Sequence, residues 1–494
     1  MKHIPFQKIA CKTVAAVAVT ALAGCSPHRQ RPNILLLMSD NQLWSHLGCY
    51  GDKVVKTPHI DLLAQQGVRF THAFCAAPSS SPARAAMLTG QDIWRLEEAA
   101  SLYGPLSPKF TTYPDLLETF GYLCGIQGKG WGPGEFKTVG RHRNPGGDRY
   151  ENFEAFLSKT VPGKPWHYWF SSREPHRPYP DGTDYYPVAQ QVDIPPYLPD
   201  CEDVRKDICD YYTAIEHFDR EVGEIVRLLK ISGQYDNTVI VVCSDNGWQM
   251  PRGLANLYDS GSRVPLIIVW PGKTSGETAD ELVNLNDLAP TFLALAGLSV
   301  PEEMTARSLL PLLNHQKDRQ ENDCVFLARE RHAYARKGGL GYPGRAIRTR
   351  EFLYIINAEP DRWPAGDPPL YGDVDAHMLH YSSPSKIHIL EHRNESEVKP
   401  FYDLCFAKRP AEELYCVRTD PFQLCNLAAD TSFAAVKREL EIRLKDYLLR
   451  TKDPRLSGGK LIWDGAPYSN ERDKTPHPNE EACRRLGIEK KYVY

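Results

Sequence analysis

Residues 79 to 84 read Ser-Ser-Ser-Pro-Ala-Arg, and a run of small residues carries on to Gly90. Serine is a favoured helix N-cap and proline a favoured first helical residue, so the simplest reading is a cap. The same place suits a nucleophile aimed at an anion, because a helix N-terminus offers unpaired N–H groups and partial positive charge. Two Asp-Asn pairs stand elsewhere, Asp40-Asn41 and Asp245-Asn246, each at the end of an apolar run. One such pair is most simply a turn or a cap. Two pairs at equivalent strand ends bring together oxygen donors, the hard set that Ca²⁺ or Mg²⁺ takes. Gly128-Lys129 and Pro175-His176 follow two further apolar runs and add a cation and a general acid or base.

These residues need a frame that gathers them. Residues 32–38 are continuously apolar and predict a buried parallel strand. Strands are also expected at 68–74, 122–127, 166–171, 238–244 and 264–270. Helices are expected at 58–67, 113–121 and 285–297, the last despite Pro290. A long helix is expected at 203–231, where Val204, Ile208, Tyr211, Ile215, Phe218, Val222 and Ile225 form an apolar stripe. This alternation predicts a doubly wound α/β domain, whose ligands bind beyond the carboxyl ends of strands. The polar motifs lie there. After residue 320 short strands at 324–330, 345–349, 352–357 and 413–416 precede one amphipathic helix at 432–450. The expected domains are therefore 26–320, catalytic, and 321–494, a smaller α+β unit. Residues 358–400 read as a long loop system, and the tail after 452 as polar and irregular.

The chain has 494 residues, 42% hydrophobic and 24% charged, with a net charge of −3. That is an ordinary globular composition with no global pull toward nucleic acid or acidic membranes, and no nucleic-acid-binding motif is present. Lys2, Lys8 and Lys12 precede an apolar stretch at 13–24 that is too short to span a bilayer. It ends in Leu22-Ala23-Gly24-Cys25, which resembles a bacterial lipobox, with an ordinary signal peptide as the alternative. Residues 1–25 are then a leader, Cys25 the lipidated first mature residue, and the expected location the periplasm or cell envelope. The contact with membrane is through that lipid anchor only. Of the thirteen cysteines, eleven remain beyond Cys25, an odd number without CxxC spacing. Most are read as small buried residues.

The stretch Ser80-Ser81-Pro82-Ala83-Arg84 with Thr89-Gly90 resembles the signature of the type I sulfatases, members of the alkaline phosphatase-like superfamily. Asp40-Asn41, Gly128-Lys129, Pro175-His176, Ser244 to Gly247 and Tyr258 to Pro265 match the family's other motifs in order, and 413–430 resembles its C-terminal signature. The resemblance implies an alkaline phosphatase-like doubly wound mixed sheet with a smaller C-terminal α+β domain. It implies that Ser80 is oxidised to formylglycine (3-oxoalanine) by an oxygen-independent, serine-type maturation enzyme, hence an anaerobic bacterial source. In the implied mechanism one hydroxyl of the hydrated aldehyde attacks sulfur and displaces the substrate oxygen or nitrogen, and the other then loses its proton and expels sulfate, restoring the aldehyde. Asp40, Asn41, Asp245, Asn246 and the Ser80 derivative would bind Ca²⁺ in preference to Mg²⁺. Arg84 and Lys129 would stabilise charge, and His176 would protonate the leaving group.

Three residues depart from the family pattern: Asn41 for a second Asp, Trp131 for a His, and Leu254 for a cation. Arg252, two residues earlier on a bent loop, is the expected replacement for that cation, with a surface arginine as the alternative. Among sulfatases the chain looks most like the N-sulfoglucosamine sulfohydrolase branch. The charged stretch 328–349 is expected at the substrate mouth, with Glu330, Arg331, His332 and Arg345 as candidate contacts and a solvated hairpin as the alternative. The implied substrate is a sulfated oligosaccharide, N-sulfated or O-sulfated. A non-catalytic glycan-binding lipoprotein and a phosphoesterase of the same superfamily are the other readings.

Overall fold

Apolar residues on both faces make β1 (Asn33–Ser39) a central strand. Ile34, Leu36 and Met38 pack to one side and Leu35 and Leu37 to the other, the two-residue period of a buried strand. The structure, a computed structural model, describes residues 31–316, 322–373, 381 and 383–494. The expected leader and Cys25 lie outside them.

β1 belongs to an eight-stranded sheet of order β4-β3-β5-β1-β6-β7-β2-β8. Its other strands are β2 (Val68–Phe74), β3 (Leu123–Gly128), β4 (Asp148–Arg149), β5 (Trp166–Ser171), β6 (Thr238–Ser244), β7 (Arg263–Val269) and β8 (Glu277–Asn284). β7 runs against both neighbours, and every other pair is parallel. The Glu202–Ile231 helix and the Pro58–Ala64 helix pack on one face. The Ser80–Thr89, Tyr113–Thr119 and Leu288–Leu295 helices pack on the other. This is the doubly wound mixed sheet expected. β8 escaped the sequence reading because it is an edge strand whose first half alternates exposed polar residues.

A second sheet, order β12-β11-β10-β9, is antiparallel throughout: β9 (Cys324–Arg329), β10 (Gly344–Thr349), β11 (Phe352–Asn357) and β12 (Glu412–Cys416). Leu440, Leu444 and Leu448, one turn apart on the Ala434–Arg450 helix, cover one face over Ile347, Tyr354 and Leu414. On the other face Val325, Leu327, Leu353 and Ile355 meet Phe74, Leu257, Tyr258 and Leu282 of the larger half. All eleven cysteines among the described residues are free thiols, and six are buried. No helix of the described residues is long and apolar enough to cross a membrane.

The register explains where chemistry can occur. Gly128 pairs with Ser171, Ser171 with Met38, and Ser39 with Ser244. Four parallel strands therefore end level, and Lys129, Asp40 and Asp245 emerge side by side into one crevice.

Candidate active site

The Ser80–Thr89 helix aims its first turn into that crevice. Ser79 occupies the N-cap position in extended conformation but makes no capping hydrogen bond. Its hydroxyl pairs instead with His332 Nδ1 at 2.8 Å. Ser80 is the first helical residue, and Lys129 Nζ donates to its hydroxyl at 2.9 Å. Ser80 Oγ in turn lies 3.4 Å from Asp40 Oδ1. Of the two readings of this stretch, the capping one fails for both Ser79 and Ser80.

Two cations and two carboxylates balance one another beneath Ser80. Lys129 Nζ lies 2.9 and 2.7 Å from the oxygens of Asp40 and 4.0 Å from Asp245. Arg84 Nε donates to Asp245 Oδ2 at 2.8 Å, and its Nη1 donates to the Gly130 carbonyl and to Ser171 Oγ. Burial pushes the Asp40 carboxyl up, but Lys129 and Arg84 outweigh it and hold the group below the usual carboxylate range. Gly128 and Gly247 make room for this cluster. A Cβ on Gly128 would meet the Ser171 carbonyl oxygen at 2.0 Å, and one on Gly247 the Ser260 carbonyl at 2.1 Å.

Asn41 has φ +67°, a left-handed conformation that asparagine tolerates better than most residues. Its N–H donates to Asp245 Oδ1 at 3.1 Å. Its Oδ1, and both side-chain heteroatoms of Asn246, are buried without a hydrogen-bond partner. Buried acceptors left unpaired are rare and call for an explanation. Beside two carboxylates, they fit a hard divalent cation with oxygen ligands. Among the described residues no three His, Cys, Asp or Glu side chains cluster closely enough to hold a metal. A cation here must use the amide oxygens.

Ser80, Asp40, Asn41 and Lys129 form the floor of a cavity of about 1150 Å³. Asp245, Asn246 and Arg84 lie behind that floor and do not line it. Arg84 is fixed there by Asp245, with its Nη2 buried, without a hydrogen-bond partner among the described residues, 3.8 Å from Asp40 Oδ1. His176, Trp131, Leu254 and His332 are on the cavity wall. Burial first, and Lys129 second, push His176 down to about 3, and its Nδ1 donates to the Arg177 carbonyl at 2.6 Å. The neutral ring therefore presents Nε2 as an acceptor. His332 is likewise pushed down to about 4, chiefly by burial. The Trp131 indole donates to the Ser81 carbonyl, against the helix start.

Four expected substrate contacts lie elsewhere. Arg252 turns away from Leu254: its Nη1 donates to the Leu404 carbonyl at 2.6 Å, its Nη2 to the Gln423 carbonyl, and its guanidinium stacks 3.9 Å from the Tyr258 ring. Glu330 is buried between Arg345 and Arg455, and Arg345 also pairs with Asp453. Arg331 donates to the carbonyls of Ala466 and Pro467. These charges are spent on the fold, so the stretch 328–349 delivers only His332 to the cavity. Sequence reasoning missed Tyr103, Arg149, Arg173 and Arg472, which line it. They stand outside the family motifs, and the tail that carries Arg472 reads only as polar and irregular.

Known proteins resemble this chain in the same regions. A family model described as Sulfatase matches residues 32–132 and 147–298, and one described as N-sulphoglucosamine sulphohydrolase, C-terminal, matches 251–358. An ulvan-active sulfatase of Formosa agariphila is 27% identical over 461 residues, covering 88% of this chain and 85% of the relative. The N-sulphoglucosamine sulphohydrolase of Homo sapiens is 27% identical over 502 residues, covering 90% and 95%. A protein solved in complex with its substrate D-glucosamine-2-N,6-O-disulfate superposes with a TM-score of 0.64 at 18% identity. The match covers 87% of this chain and 100% of that one.

Proposed function

We propose, because this chain belongs to the sulfatase family, that it removes sulfate from a terminal sugar of a sulfated glycan, using a formylglycine made from Ser80 and a bound Ca²⁺. The chain is a sulfatase with the alkaline phosphatase-like fold; the nucleophile, the cation and the sugar are what is proposed. One observation carries the reading. The Ser80 hydroxyl stands at a helix N-terminus, 2.9 Å from an ammonium, on the floor of a cavity large enough for a short oligosaccharide.

Asp40, Asn41, Asp245 and Asn246 would hold the cation, which would draw charge from the sulfate oxygens and lower the pKa of a hydroxyl beside it. Formylglycine would supply a hydrated aldehyde in place of a weakly nucleophilic hydroxyl. The remaining work falls to side chains of the chain itself. Lys129 stabilises negative charge at the position-80 oxygen and on a sulfate oxygen that approaches it. Arg84 keeps the Asp245 carboxylate turned toward the floor. His176 takes up a proton at Nε2 before it can return one to a departing oxygen or nitrogen, and a sulfate anion beside it favours that protonation.

The first substrate proposed is N-sulfoglucosamine, supported by the C-terminal family match and the human relative. An O-sulfated sugar is the alternative, supported by the ulvan-active relative. The leader ending in Cys25 supports export and a lipid tether at the cell envelope, after modification by a serine-type maturation enzyme. The decisive experiment is mass spectrometry of the Ser80 peptide from protein made in its native host. Loss of two hydrogens is expected, and unmodified serine overturns the mechanism. Sulfate release from N- and O-sulfated glucosamines, uronic acids, galactosamines and fucose then assigns the sugar.

A further inference from the structure

Three arginines on the cavity wall have no part in the chemistry above: Arg149 at the end of β4, Arg173 beyond β5, and Arg472 near the C-terminus. All three are exposed. Arg177 is unlike them, since it is buried in a fork to Asp207 at 2.7 and 2.8 Å. Arg149 donates to the Gly128 carbonyl. Arg472 makes no salt bridge and no side-chain hydrogen bond among the described residues. The acids on the same wall are Glu135, Glu174 and Asp473. Asp473 accepts the Tyr468 hydroxyl, and Glu174 adjoins Arg173. Of these acids only Glu135 is exposed, while Glu174 is half-buried and Asp473 buried, so among the described residues the outer wall sets three exposed arginines against one exposed carboxylate.

Arg472 reaches this wall because its segment is clamped. Arg331 Nη2 grips the carbonyls of Ala466 and Pro467 at 3.0 and 2.9 Å, and its guanidinium lies 5.1 Å from the Tyr468 ring. Tyr468 meets Tyr103 edge-on at 5.0 Å, and Ser469 Oγ donates to the Tyr103 carbonyl at 3.2 Å. Asn470 then accepts from the Arg472 N–H and fixes the turn that presents the arginine.

We propose that Arg472 is a specificity-determining residue: with Arg149 and Arg173 it binds a second anionic group of the substrate, apart from the sulfate that is removed. This rests on the reading of the cavity as that of a glycan sulfatase. A guanidinium fork suits a sulfate and a carboxylate alike. The anion is thus either a further sulfate on the same sugar or the carboxylate of a neighbouring uronic acid.

The test compares N-sulfoglucosamine, N,6-O-disulfoglucosamine, and N-sulfoglucosamine joined to a uronic acid. Wild-type protein is expected to prefer one of the doubly anionic probes, and which one it prefers names the anion. In Arg472→Ala the preference, read as a ratio of kcat/KM, falls about tenfold, the scale of losing one charged hydrogen bond. Arg472→Lys keeps part of it. Calorimetric binding of the same probes to Ser80→Ala protein should show the same loss without turnover. A preference unchanged in Arg472→Ala, with circular dichroism intact, overturns the subsite. So does an equal loss on all three probes. Probes that bind with the expected ratio but are never turned over by wild-type protein refute the sulfatase reading and leave the subsite standing.

Discussion

Lys129 and Arg252 are both cations that the sequence offered to the site, and their surroundings separate them. Lys129 touches Ser80 and both oxygens of Asp40 at the cavity floor. Lys129→Ala should lower kcat by about 10²–10³-fold, the cost of one preorganised charge-stabilising donor, and should also lower the melting temperature by leaving the buried Asp40 with one cation fewer. Arg252 is 2% exposed and satisfies two carbonyls of the C-terminal half. Arg252→Ala should cost about 2–4 kcal/mol of stability by leaving those carbonyls unpaired and should leave kcat/KM of the folded fraction near wild type. Thermal unfolding beside steady-state kinetics checks both. A large kcat loss with an unchanged melting temperature in Arg252→Ala would return that arginine to the pocket. Leu254 lines the cavity and Arg252 does not.

At the scale of elements, strand ends were legible and side-chain directions were not. The apolar runs at 32–38 and 238–244 appear as β1 and β6, and the stripe on 203–231 appears as the Glu202–Ile231 helix. Motif residues at those ends gathered as expected because register, set by continuous apolar pairing, levels the ends. Glu330, Arg331 and Arg345 illustrate the opposite case. Their charge announced a binding surface, but their partners, Arg455, Asp453 and the carbonyls of Ala466 and Pro467, lie more than a hundred residues away. No local pattern reveals such partners. Asp92 is a further example. It accepts the Tyr447 hydroxyl at 2.8 Å and so joins the loop after the Ser80–Thr89 helix to the Ala434–Arg450 helix. Burial raises its carboxyl from 3.8 to about 6, against the lowering effect of the Tyr447 and Thr305 hydrogen bonds. The folded state thus holds the proton more tightly than the unfolded state. The resulting stabilisation, about 2–3 kcal/mol, is complete below pH 3.8 and is lost as pH rises through 6. Between pH 4 and 7.5 the melting temperature of Asp92→Asn should therefore rise relative to wild type. A parallel pair of pH profiles would show that Asp92 does not carry this linkage.

For the molecule as a whole, the proposed cation at the Asp40–Asn41–Asp245–Asn246 cluster would tie together the ends of β1 and β6. Ligand binding to the folded state alone stabilises it by mass action, about 2.7 kcal/mol at a hundredfold excess over Kd. Chelated protein should melt lower than wild type, lose sulfate release, and recover both on addition of Ca²⁺. Asp245→Ala should abolish the Ca²⁺-dependent rise in melting temperature along with turnover. Full activity after chelation, checked by elemental analysis, would reject the cation.

Ser80 and part of the wall beside it come from distant stretches of the sequence. Ser80 emerges from the ribosome well before the segment bearing Asn470 and Arg472. In the finished fold Ser80 is only 6% exposed, with Trp131 against the start of its helix. A nascent chain has none of this cover. An enzyme that took residue 80 into its own active site would have a window that opens when the serine emerges and narrows when the segment bearing Asn470 and Arg472 docks. Under the proposed modification, the order of synthesis would then bear on how completely residue 80 is converted.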